Sequence, residues 1–196
     1  MNSAVQHPEL FGHVRIIMAT VLGLSVARLL NGLARFVQHP TRDHVYGVHI
    51  GWVFFLLLSV VHFWWFEFGL SRIETWTFQV YFFVLTYAAL FFFICAVLFP
   101  DKMDDYKGYA DYFESRQRWF YGLLSVLFVL DVFDTLLKGI DHFKSLGSAY
   151  PYKQSAFFMT AVIAMFVKKR RFHALFVATA LFVQIWFILA EFEILG

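Results

Sequence analysis

Long apolar runs separated by short polar breaks dominate the chain. FFLLLSVVHFWWF and FFVLTYAALFFFICAVLF show no strict alternation, so they read as helices and not as the strands of a membrane barrel. A helix needs about 20 apolar residues to cross a bilayer. By that measure the pattern predicts an all-α, polytopic membrane protein with about six transmembrane helices, near 12–37, 45–69, 76–99, 117–142, 152–168 and 173–195. The breaks carry turn and charge chemistry: HPTRD at 39–43, SRIE at 71–74, FPDKMDD at 99–105, GSAYP at 147–151 and KKRR at 168–171. The whole chain, 1–196, reads as one transmembrane helical domain. Its halves would be 1–99 and 117–196, joined by an interfacial segment 100–116 whose Tyr106, Tyr109 and Phe113 recur at helical spacing.

Composition strengthens the class. The chain is 60% hydrophobic and 21% aromatic but only 15% charged, against about 25% charged in soluble domains. A lone cysteine, Cys95, excludes an intrachain disulfide and a cysteine zinc site. The first residues lack the basic stretch and following apolar core of a cleavable signal, so the first span itself would direct insertion.

The placement of charge predicts orientation. Arg35, Arg42, Lys102, Lys107, Arg116, Arg118 and Lys168–Arg171 fall on one side of a six-span chain. Arg15, Arg72, Lys138, Lys144 and Lys153 fall on the other. The excess of positive charge marks the first side as cytoplasmic, with both termini outside, as in a bacterial-type inner membrane. Trp64, Trp65 and Trp76 then belong to the outer interface and Trp119 to the inner one. KKRR reads as a topology and anionic-lipid signal, with no nucleic-acid role.

RLLNGLARF at 28–36 aligns with TLLKGIDHF at 135–143, which suggests a 3+3 inverted repeat. Leu, Gly and Phe are frequent in membrane helices, so chance explains the same match. Small residues recur every fourth position at Ala19, Gly23 and Ala27, at Gly47 and Gly51, and at Ala156, Thr160 and Ala164. Such rows suit close helix contact, more often within a chain than between copies.

The chemistry lies in polar groups inside the apolar runs. Asp131, Asp134, Lys138, Asp141 and His142 form one stripe on the fourth span; Ser25, Arg28, Asn31 and Arg35 form another on the first. A charge at the bilayer centre costs about 2.5–3.5 kcal/mol. Arg28 is therefore expected to pair with Asp131 or Asp134, and Asp134 with Lys138 one turn away. His62 and the central Gln184 complete the candidates for a polar path, while Glu67 and Glu191 lie near helix ends where they would reach water. A structural ion pair between two helices explains the same charges without transport.

No soluble-enzyme motif, metal-ligand spacing or catalytic residue stands out, and no cofactor is predicted. Haem is unsupported: His49 and His62 are 13 residues apart and lie on roughly opposite sides of one helix. The acids at 101–114 do not match a calcium loop. These features point to a small proton or cation transporter, or a channel-like protein, with a polar path on the first and fourth helices. The alternative is an accessory or assembly subunit of a larger membrane complex; a redox enzyme using His62 ranks below both. Lipids are the expected surroundings, with a homo-oligomer or larger complex as the expected assembly.

Overall fold

The computed structural model describes residues 7–38, 45–73 and 76–191. The loop expected at 39–43 with Arg42, the chain start, Glu74 and the side chain of Glu191 lie outside the described residues. Among the described residues seven α-helices follow in order: α1 (His7–Gln38), α2 (Gly47–Phe66), α3 (Phe78–Leu98), α4 (Tyr109–Leu137), α5 (Ile140–Ser145), α6 (Ala149–Ala164) and α7 (Arg170–Glu191). A short 3-10 helix, Glu67–Arg72, extends α2. Five helical segments are long and apolar enough to cross a membrane: Gly12–Gln38, Gly47–Ser71, Phe78–Leu98, Tyr109–Leu137 and Arg170–Ala190. The protein is thus an all-helical bundle compatible with an integral membrane protein.

The fifth expected span differs. Predicted over 152–168, it is α6, only 16 residues long, or roughly 24 Å at 1.5 Å per residue. It ends where Gln117 donates its side-chain amide to the carbonyls of Ala164 (2.7 Å) and Val167 (2.6 Å), which satisfies the orphan acceptors of the helix end. At its other end, Tyr150 and Gln154 meet Asp131 of α4. α6 therefore runs antiparallel along much of α4.

The fourth helix also differs. It begins at Tyr109, so residues 109–116 are its first two turns and not part of a separate interfacial helix. Tyr109, Tyr112 and Phe113 are buried, and the Tyr112 hydroxyl donates to the Val97 carbonyl (2.7 Å), pinning the start of α4 to the end of α3. α4 stops at Leu137 because Gly139 adopts φ +116, a backbone region open to glycine. Asp141 and His142 consequently lie on α5, and the predicted stripe through them is broken.

Packing decides which faces meet. α1 lies on α3 and α2 and touches the first turn of α4, where Phe36 packs on Tyr109 with ring centres 4.6 Å apart; α4 lies between α3 and α6, and α7 packs on α2. Of the small residues, Gly51 admits Val177 of α7, whose Cγ2 lies 2.8 Å from where a Cβ would stand; Gly23 meets nothing. Gly32, outside the rows, has the ring of Phe99 at 2.4 Å from its would-be Cβ. The aligned stretches 28–36 and 135–143 therefore differ in conformation: the first is unbroken helix, while the second crosses the α4–α5 break.

The core is aromatic. Trp52 is completely buried, edge-on to Phe55, Phe120, Tyr121 and Phe176 at 5.1–5.6 Å. Such edge contacts contribute about 0.5–1.5 kcal/mol per pair beyond burial. Within this core a chain of hydrogen bonds links three helices and the α6–α7 turn. The Trp52 indole donates to the Tyr121 hydroxyl (3.1 Å), which lies 2.9 Å from His173 Nδ1. His173 Nε2 faces the Val167 carbonyl at 2.8 Å. A carbonyl only accepts, so the proton is assigned to Nε2 and Tyr121 donates to Nδ1.

Candidate functional site

The expected partner of Arg28 is wrong. Its guanidinium donates to the Phe99 carbonyl (2.7 Å) and to Asp101 Oδ1 (2.8 Å), at the end of α3. The reason is helix placement: α1 packs along α3 and meets α4 through Phe36 at Tyr109, far along the helix from Asp131 and Asp134, so the carbonyls that end α3 are the acceptors in reach. Arg35 does the same at the Pro100 carbonyl (3.0 Å). Hydrogen bonding from Arg28 holds the exposed Asp101 carboxyl below its usual range. Arg28 thus clamps two helices and leaves the path imagined between α1 and α4 without its first half.

Asp134 and Lys138 do meet, as their spacing predicts. The Lys138 ammonium, 71 positions further along the chain, also donates to Glu67 Oε1 at 2.7 Å, joining the two carboxyls. All three side chains are 4% exposed or less. Glu67, expected to reach water, is instead buried, because it follows the last turn of α2 directly and the 3-10 helix tucks it against α4. Gly69 leaves room for the lysine stem, whose Cδ lies 3.2 Å from where a Cβ would be. The ammonium also stands 3.9 Å from the centre of the Phe66 ring, a cation–π contact.

Asp131 lies one turn deeper and has different company. Oδ1 accepts from the Tyr87 hydroxyl of α3 (2.9 Å), and Oδ2 accepts from the Tyr150 hydroxyl (2.6 Å) and the Gln154 amide of α6. The Tyr150 oxygen also lies 2.7 Å from Thr135 Oγ1. Among the described residues no cation pairs with Asp131; its partners are all neutral.

Asp131 opens onto a cavity of about 50 Å³ that Ser59, His62, Lys153, Gln154 and Gln184 also line, between aromatic walls. One water needs about 10–15 Å³ on this measure, so the space suits a few waters and excludes an organic ligand. Across it, Gln184 Nε2 of α7 approaches His62 Nδ1 of α2 at 3.4 Å. The Lys153 ammonium sits 3.6 Å from the centre of the Phe187 ring.

Of the six candidates, the structure brings Asp131, His62 and Gln184 to one cavity and Asp134 and Lys138 to the adjoining triad; Arg28 lies elsewhere. Glu67 had been set aside as reaching water, and Tyr87, Tyr150, Lys153 and Gln154 were missed. Tyr150 and Gln154, four apart in α6, carried a legible signal: two hydrogen-bonding side chains on one face of an apolar helix. Tyr87 carried none, since a tyrosine amid phenylalanines reads as apolar. Among the described residues no group of three or more His, Cys, Asp or Glu could hold a metal ion. Comparison of the chain with protein-family models, curated proteins and solved structures finds no match, so the case for function rests on these residues.

Proposed function

We propose that the chain is a small proton or cation transporter, or a channel-like protein, whose polar path runs through the Asp131 cavity between α2, α4, α6 and α7. The observation that carries this reading is Asp131 itself. A carboxyl in an apolar bundle is costly, yet this one is satisfied by two hydroxyls and an amide, and no cation is paired with it among the described residues. Hydroxyl donors can rotate to serve either protonation state. Asp131 can therefore gain and lose a proton without breaking an ion pair, and the adjoining space admits the water a proton needs.

Orientation follows the same proposal. The antiparallel course of α6 supports reading it as the fifth of six crossings, short but fitted between α4 and α7. Arg118 lies 5.8 Å from the Phe166 ring centre and Arg170 lies 4.9 Å from that of Tyr46; with Arg28 and Arg35 on the α3 end, the bases gather at one end of the bundle. That end is cytoplasmic by the positive-inside rule, which leaves the triad and the Asp131 cavity toward the outer half. Nothing in this path requires an inverted repeat.

In liposomes carrying an internal pH dye, an imposed proton or potassium gradient is expected to drive a flux through the reconstituted protein. Asp131→Asn keeps the shape but cannot carry the proton, and should reduce the flux by about a hundredfold. A flux that Asp131→Asn leaves intact, or none above protein-free vesicles, contradicts the proposal. The second outcome favours an accessory subunit, more so if native purification always returns the same larger partner.

A further inference from the structure

The path through Asp131 leaves one arrangement unused: two buried carboxyls against one ammonium. We propose that Glu67 and Asp134 together hold a single proton at neutral pH, making a carboxyl–carboxylate pair clamped by Lys138. This is a proton-binding site distinct from Asp131, and it does not require that the protein move protons across the membrane.

The count of charges comes first. Glu67 and Asp134 each give one oxygen to the Lys138 ammonium. Their other oxygens, Glu67 Oε2 and Asp134 Oδ1, are buried and meet no hydrogen-bond partner among the described residues. With both acids ionised the triad would carry one uncompensated negative charge in the bundle, and leaving a buried charge unpaired is strongly unfavourable. Two acids sharing one site cannot both ionise cheaply, as in the aspartic-protease dyad. One proton from water, forming an O–H bond on Oε2 or Oδ1, makes the triad neutral and turns one orphaned acceptor into a donor.

The neighbours do not supply the missing positive charge. Asp131, the next acid down α4, supplies no positive charge. Arg15 of α1 borders the same small gap as Glu67, but its guanidinium stands over the Phe68 ring, 4.8 Å from the centre. His62 of α2 and Lys153 of α6 belong to the Asp131 cavity. His142 of α5 lies against the Phe66 ring at 5.3 Å, and Asp141 follows α5 away from the buried core. Tyr87 of α3 is engaged with Asp131.

The test is infrared spectroscopy of the full chain in lipid nanodiscs at neutral pH. A carboxylic-acid C=O band that shifts on deuteration is expected, together with its loss in both Glu67→Gln and Asp134→Asn. Removing either acid leaves one carboxyl facing one ammonium, and the survivor then ionises. Loss of the band in both variants, with helical circular dichroism retained, supports shared occupancy. A band that persists in either variant at wild-type intensity overturns it. Should a variant fail to fold, isotope labelling of glutamate and of aspartate in the unmutated protein reads the same site. No label-sensitive acid band from either residue type would equally overturn the proposal. Flux in liposomes is a separate readout, so the pair can fail while the Asp131 path stands, and the reverse.

Discussion

Lys138→Ala is expected to destabilise the protein by about 3–5 kcal/mol, the cost of removing one partner from a buried ion pair. Among the described residues the lysine is the cation paired with Glu67 and Asp134, and its loss leaves the buried carboxylate there without its ammonium. It also removes the stem that packs on Gly69 and the ammonium that covers the Phe66 ring. Glu67→Gln gives the contrast. It leaves Asp134 paired with Lys138, keeps a side chain of the same length, and should cost only about 1 kcal/mol. Unfolding in mixed micelles measures both. Similar losses for the two variants would mean that charge balance does not hold this end of the bundle.

Gly32→Ala comes next. A methyl there would stand 2.4 Å from two atoms of the Phe99 ring. The ring cannot swing aside easily, because Phe36, His49 and Tyr109 pack around it with centres 4.9–6.4 Å away. Overpacking of this kind typically costs 1–3 kcal/mol, and with the ring so confined the upper end, about 3 kcal/mol, is expected. The same displacement would push α1 from the end of α3 and loosen Arg28 from the Phe99 carbonyl. A thermal melt of the variant in detergent reads the loss directly, and an unchanged melt would show that α1 does not approach α3 at this point.

These residues also show what the sequence could and could not convey. Apolar runs of 20 or more residues leave few choices in lipid, so α2, α3 and α7 fall close to their expected bounds. The Asp134–Lys138 contact was legible because one helix turn fixes it. Which helix faces α4 was not, because no local spacing encodes it. Arg28 had the right depth to reach an acid, yet tertiary packing set it against Asp101. The α4–α5 break was hidden as well: LLKGIDHF has helical periodicity on both sides of Gly139, and glycine sits within many membrane helices without ending them. The shared glycine of the aligned stretches thus does two jobs, a close approach at Gly32 and a left-handed turn at Gly139.

The joining of the end of α2 to the end of α4 through Lys138 is the central claim, and a double-mutant cycle tests it most directly. Unfolding free energies of the wild type, Glu67→Gln, Lys138→Met and the double variant give the coupling between two residues 71 positions apart. Contact predicts a coupling above about 1 kcal/mol, whereas distant sites add within about 0.5 kcal/mol. A coupling of the first size is the expected result; simple additivity would contradict the account.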